Sequence, residues 1–231
     1  MDSIAEGLAE ALRLVIHGDP EVREIAVRTL LVSGAATALA MLIGVPIGYL
    51  IARRAFFGRT FLLGLLHTAM GMPPVVVGLL VWLLLVRSGP LGEFELVYTR
   101  EAMVLAQLAI ATPLVAGFTA ASIQALPPEL PDLLVMLGAG RLRALWLTAR
   151  EARLGLLAAI MAGFGAVVSE VGASMMVGGN LQGSTRVLTT AIVTETSRGR
   201  TGTALALGII LLVLAFLVNL ALTAAQQRRG R

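Results

Sequence analysis

Apolar residues run along this chain in five long blocks, at 25–51, 61–86, 102–126, 154–177 and 203–224, separated by short polar stretches. Each block reaches the roughly 20 apolar residues that a helix needs to cross a hydrocarbon core about 30 Å thick. Backbone N–H and C=O groups find no water in that layer, so each block must satisfy them internally, as a helix. A transmembrane barrel would show short alternating segments, and none occurs. The expected fold class is therefore an all-α integral membrane protein with five transmembrane helices. One domain covers 22–226, preceded by a segment 1–21 and followed by a basic tail, 227–231.

The polar stretches carry their own patterns. Ile4, Leu8, Leu12 and Val15 recur at helical spacing opposite Glu6, Glu10 and Arg13, which suggests a short interfacial helix. That segment lacks the basic start and continuous apolar core of a signal peptide. Asp19-Pro20-Glu21 reads as a helix start: an N-cap, a proline at the first position, then an acid at the positive end of the dipole. The longest polar insert, 127–153, has helical apolar spacing, a break at Gly138-Ala139-Gly140, and arginines at Arg141, Arg143, Arg150 and Arg153. A short amphipathic helix pair between two lipid-soluble spans is a surface offered to a partner.

Three features interrupt the apolar blocks. GMPPVVVG, at 71–78, sets Pro73 and Pro74 inside the second block, where they remove helical hydrogen bonds and kink it. The kink serves either packing or the wall of a translocation path, where neighbouring groups take up the freed carbonyls. Gly34, Gly44, Pro46 and Gly48 in the first block permit close helix contact or bending. Glu170 lies inside the fourth block, and an intramembrane carboxylate is costly and by default functional. It is either paired structurally or part of a gate. After it come a turn at Gly178-Gly179-Asn180 and the group Gly183-Ser184-Thr185-Arg186, whose amides, hydroxyls and guanidinium suit oxyanions near an outer mouth.

Composition narrows the function. At 57% apolar and 14% charged residues, the chain is unlike a soluble domain. With no cysteine it has neither disulfides nor thiolate metal sites, and His17 and His67 are too few for a histidine cluster, so no metal or cofactor is expected. Every basic residue is an arginine. A P-loop needs a lysine on the phosphates, so any ATP chemistry belongs to another subunit. The arginines sit in membrane loops rather than on one surface, which speaks against nucleic acid. No HExxH or GxSxG motif is present, Glu170 has no second acid beside it, and His67 has no evident partner, so an intramembrane enzyme is disfavoured.

Orientation follows from the loops. Arg53, Arg54 and Arg59, the insert arginines, and Arg228, Arg229 and Arg231 share one side in a five-span arrangement. They outnumber Arg13, Arg23, Arg28, Arg87, Arg100, Arg186, Arg198 and Arg200 on the other. The positive-inside rule then places the insert in the cytoplasm, the N-terminus outside and the C-terminus inside.

Taken together, these motifs resemble the permease subunit of ABC importers. That family's cytoplasmic EAA loop has an acid, two alanines, and a glycine six residues after the acid. Asp132, Leu133, Leu134 and Gly138 occupy those places, with leucines for the alanines, and Thr148 to Glu151 stand where the downstream Ile-x-Leu-Pro would fall. GMPPVVVG followed by RSGPLG at 87–92 is similar to the second-span region of oxyanion permeases. EVGASMMVGGN at 170–180 and TRVLTTAIVTET at 185–196 look closest to the tungstate type among molybdate and tungstate permeases.

The resemblance implies a type I permease fold working as a homodimer in the cell membrane. It also implies two cytoplasmic ABC ATPase subunits and an extracytoplasmic oxyanion-binding protein. Asp132, Leu133, Leu134, Leu137, Gly138 and Ala139 would couple to the ATPase. Glu170, Gly178, Gly179, Asn180, Thr185, Arg186, Thr189 and Thr190 would form the gate and path. A permease for molybdate, sulfate or another solute, a stand-alone secondary transporter, and a membrane-embedded structural subunit remain alternatives.

Overall fold

The computed structural model describes residues 9, 13, 19–54 and 56–228, and all regular structure among them is helical. Of the expected interfacial helix, Ala9 and Arg13 are helical; Ile4, Leu8, Leu12 and Val15 lie outside the described residues, as do 229–231 of the tail.

Helix α1 spans Pro20–Arg53 and starts where the cap pattern predicts. The Asp19 carboxylate accepts from the N–H groups of Glu21 (2.9 Å) and Val22 (3.1 Å), and Pro20 occupies the first turn, where its missing donor costs nothing. The second apolar block becomes two helices, α2 (Arg59–Met70) and α3 (Pro74–Leu85), bent by 102° across Gly71-Met72-Pro73. The prolines thus end one helix and begin another. Each piece has 12 residues, about 18 Å of rise, too short to cross the hydrocarbon alone. Helix α4 (Arg100–Gln124) is capped by the Thr99 hydroxyl on the Ala102 N–H.

The insert forms α5 (Leu130–Met136) and α6 (Arg141–Glu151). The fourth block also splits, into α7 (Arg153–Val168) and α8 (Gly172–Gly178), with the break at Ser169-Glu170-Val171. A further helix, α9 (Leu188–Ser197), precedes the last span, α10 (Thr201–Arg228). Three helices are individually long and apolar enough to cross a membrane: α1, α4 and α10. Counting the bent pairs α2–α3 and α6–α7 as single spans raises this to five.

Helix α4 is the hub. It packs along α1, against α7 on another side, and touches α2, α3 and α8. Lipid tails are as apolar as leucine, so helix association here depends on close fit. The fit comes from small residues. A Cβ on Gly48 would collide with the Ala116 carbonyl, and one on Gly44 would sit 3.1 Å from Thr112 O. On the other flank, Gly163 lies against Val115 and Gly155 against Ser122. The core cluster runs through Val32, Ala40, Met103, Ala106, Val115, Val167 and Val177. Outward-facing Leu31, Leu42, Leu212, Phe216 and Leu220 are exposed, as expected where the solvent is lipid.

Candidate functional site

Two regions gather the polar groups. The first surrounds the break between α7 and α8. Glu170 is 8% exposed, and one carboxylate oxygen accepts from the Ala173 N–H at 2.8 Å. Helix α8 therefore begins on an acid that satisfies one of its orphan donors. The Glu170 carbonyl, freed by the break, accepts from the Thr189 hydroxyl at 2.9 Å. The two motifs that interrupt the apolar blocks meet here. A Cβ on Gly78 of α3 would lie 2.6 Å from Ala173 Cα, and Gly172 abuts Val75. The GMPPVVVG and EVGAS segments are thus a single packed contact, and Gly78 is needed because two backbones touch at that point.

If the carboxylate serves as a cap, Glu170→Gln retains an acceptor oxygen and Glu170→Ala does not. Glu170→Ala should lower stability by about 1–3 kcal/mol, the cost of an unmet buried donor, and Glu170→Gln by much less. Thermal unfolding of the two variants in one detergent checks this. Equal losses would assign the role to the charge rather than to the hydrogen bond.

Beyond α8 the chain turns at Gly179, with φ +68 and the Tyr98 ring packed where a side chain would begin. Gly178 is buried against Met103, and its carbonyl accepts from the Thr185 hydroxyl. That hydroxyl also accepts from the Leu181 N–H at 2.9 Å. Asn180, with φ +51, donates from Nδ2 to the Thr194 hydroxyl at 2.6 Å. The Thr190 hydroxyl accepts from the Val187 N–H at 3.0 Å and caps α9.

Gly178, Gly179, Asn180, Thr185, Thr189 and Thr190 thus cross-brace one loop. Arg186 is buried at 9% exposure, 3.7 Å from the Glu21 carboxylate of α1.

Sequence reasoning missed the group that holds this loop to the body. Arg28 of α1 is 2% exposed. It donates from Nη1 to the Arg186 carbonyl (2.8 Å) and from Nη2 to the Gly183 carbonyl (3.1 Å), and also pairs with Glu24. Beside it, the Thr29 hydroxyl accepts from the Leu188 N–H at 2.9 Å. Arg100 at the start of α4 donates to the Ser184 carbonyl at 2.9 Å. One signal was available: Arg28 sits inside an apolar helix, where a charge demands a partner. Glu195 was missed as well. It is buried at the end of α9 and paired with Arg198 (3.0 Å) and Arg200 (3.4 Å). Gln107 of α4 donates to the Ser174 hydroxyl of α8 at 3.2 Å inside the core.

Pro73 and Pro74, at the α2–α3 bend, line a cavity of about 310 Å³ together with Gly71, Val77, Ile110 and Leu114. Among the described residues, no group of three His, Cys, Asp or Glu could hold a metal ion.

The second region is the insert. Gly138 has φ +87, the left-handed region that glycine enters without a Cβ penalty. Its N–H bonds the Val135 carbonyl at 2.9 Å, and the Ala139 N–H bonds the Leu134 carbonyl at 3.0 Å. This pair of bonds is a Schellman closure, which ends α5 and redirects the chain into α6. Helix α6 is anchored by buried Ala144 and Thr148, is followed by buried Ala152, and meets α7 at 72°. The outward side is apolar: Leu133 and Leu145 are exposed, and Met136, Leu137 and Leu142 are 82%, 84% and 85% exposed. Asp132 is exposed beside them, while Leu134 and Ala139 are half-buried. An exposed apolar patch of this kind is a surface that another protein or a membrane covers.

Comparison with known proteins places this geometry. Residues 44–231 match the family model described as "binding-protein-dependent transport system inner membrane component". A probable anion ABC transporter permease of Haloferax volcanii is 43% identical over 196 residues, covering 83% of this chain and 84% of its own. The tungstate uptake system permease TupB of Peptoclostridium acidaminophilum is 37% identical over 227 residues, covering 98% and 100%. Among solved structures, an amino acid ABC transporter with histidines aligns with a TM-score of 0.62 at 20% identity, covering 94% of this chain and 97% of that one, which is a likeness of fold.

Proposed function

This chain belongs to the binding-protein-dependent transport system inner membrane components, the permease subunits of ABC importers, and from that premise we propose that it carries tungstate. The supporting observation is a likeness to tungstate permeases that runs from end to end and includes both interrupted spans and the loop after α8. The working unit is a homodimer, since one set of helices makes a thin wall and a two-fold pair encloses a path at its interface. Five spans put the N-terminus outside and the insert and C-terminus in the cytoplasm, in accord with the arginine distribution. ATP is hydrolysed on separate cytoplasmic subunits, and an extracytoplasmic binding protein delivers the anion.

The mechanism is a chain of rigid parts with breaks between them. Closure of the two ATPase subunits moves α5, gripped through Asp132, Leu133, Leu134 and Leu137. The turn at Gly138 and Ala139 sets the angle at which that motion enters α6. Helix α6 runs through Ala152 into α7, which ends at the Glu170 break. Motion there shifts α8 against α3 and re-aims the 178–190 loop over the outer mouth. Packed helix contacts switch between discrete arrangements, so a small tilt at the insert becomes opening or closing at the far end. The path itself should hold the anion weakly, because a transporter must release what it accepts. Selectivity then lies in the binding protein.

Reconstitution with its ATPase and binding protein tests the cargo. ATP hydrolysis in proteoliposomes should rise on adding tungstate, and only with all three proteins present. Stimulation by molybdate or sulfate in place of tungstate would keep the permease and discard the cargo. Tungstate flux through the chain alone would discard the ATP-driven reading.

A further inference from the structure

We propose that the groove between α6, α7 and the end of α10 is a binding site for the phosphate headgroup of an anionic phospholipid. The groove is a cavity of about 710 Å³ lined by Trp146, Ala149, Arg150, Arg153, Leu157 and Gln226. Its chemistry is one-sided. Arg150 lies over the Trp146 ring, 5.5 Å from the centroid, and Arg153 faces the same space. Among the described residues, neither guanidinium has a carboxylate within ion-pair distance. Glu151, which lines a neighbouring cavity with the same two arginines, pairs with neither. A guanidinium has five donors in a fixed fork that matches phosphate oxygens, and here two such forks line one groove.

Depth decides which anion fits. Arg153 is the first residue of α7, and the apolar run begins at Leu154, so the two arginines sit at the edge of the hydrocarbon layer. Phospholipid phosphates occupy that level, and tryptophan concentrates there because its ring is apolar and its N–H is polar. Leu157, one turn further in, gives the groove an apolar floor for the first acyl carbons. The wall α10 is a candidate membrane span and α7 belongs to one as part of the bent α6–α7 pair, and the proposal places the groove's opening toward the bilayer. Basic pockets between membrane helices at this level are the kind that hold anionic headgroups. The apolar patch at Leu137 and Leu142, by contrast, does not line this groove and remains available to the ATPase. The inference requires the insert to lie at the membrane surface, as proposed above, and does not depend on the cargo.

The chain has two tryptophans, so Trp82→Phe leaves Trp146 as the sole tryptophan, excited selectively at the red edge of its absorption. The full-length variant is placed in phosphatidylcholine vesicles carrying equal fractions of brominated phosphatidylglycerol or brominated phosphatidylcholine. Phosphatidylglycerol should quench Trp146 preferentially. Arg150→Gln and Arg153→Gln should each reduce that preference roughly fivefold, and Arg150→Lys should retain part of it. Quenching by brominated phosphatidylcholine should be the same in every variant, which reports that each one is inserted and folded.

Equal quenching of the parent by the two lipids overturns the proposal, as does a preference that both glutamine variants keep. Millimolar inorganic phosphate should leave the preference intact, and its loss would make the site one for free anions. Loss of the preference on adding the ATPase subunit would make the groove part of the ATPase surface instead. The stimulation of ATP hydrolysis by cargo is read separately, so failure of either idea leaves the other standing.

Discussion

Gly138→Val will reduce cargo-stimulated ATP turnover of the reconstituted transporter roughly tenfold or more, while the chain still inserts into the membrane. The reason is conformational and not steric. A Cβ on Gly138 would meet nothing within 4 Å, but the residue holds φ +87. A left-handed conformation costs an ordinary L-residue about 1–2 kcal/mol, and more for a β-branched one. Valine would relax the turn, break the Gly138–Val135 and Ala139–Leu134 bonds, and re-aim α5 relative to α6.

Asparagine tolerates the left-handed region, so Gly138→Asn should lose only a small part of the activity. The ordering glycine, asparagine, valine separates a backbone effect from a contact effect. Coupled turnover in Gly138→Val at the level of the parent would remove the insert from the mechanism.

The second large effect is expected at Arg28. Arg28→Ala deletes two hydrogen bonds from a charged donor, to the Gly183 and Arg186 carbonyls, and strands both acceptors in a nearly dry site. Bonds of this kind contribute about 1.5–3 kcal/mol each, so a loss of about 3 kcal/mol or more is expected. It should show as a lower unfolding temperature in lipid nanodiscs and as new protease cleavage within 181–187. The loop is the outer end of the proposed gate, so uptake should fall as well. Arg28→Lys should recover only part of the loss, since one ammonium on a flexible stem does not reproduce a planar fork. Unchanged stability with an uncut loop would mean that Thr29, Arg100 and the packing of α9 hold the segment without Arg28.

The legible parts of the sequence were those set by local physics. The first, third and fifth apolar blocks were read to within a few residues of α1, α4 and α10, because length and hydropathy alone decide them. The start of α1 at Asp19 and the turn at Gly138 were visible for the same reason: a cap and a C-terminal glycine act within four or five residues. The family resemblance lay in the insert from Asp132 to Gly138 and in the segments 71–78, 87–92, 170–180 and 185–196.

Other features were placed correctly in the sequence but not understood from it. GMPPVVVG reads as a kink, yet it is a bend of 102° between separate helices. The fourth block reads as one helix, but it breaks at Glu170, whose side chain caps the next segment.

The sequence by itself determined that this protein is a bundle of membrane helices with an arginine-bearing insert between two apolar blocks, because lipid forces helices and charge is costly inside it. Only the tertiary structure decided that Gly78 meets Ala173, that Arg28 of the first span closes the loop after the eighth helix, and that Arg150 and Arg153 share one groove with Trp146 and the end of α10. Those contacts join residues far apart in the chain. What fixes them is the close approach of backbones through small side chains and the need of buried polar groups for partners, and neither leaves a periodic trace in the sequence.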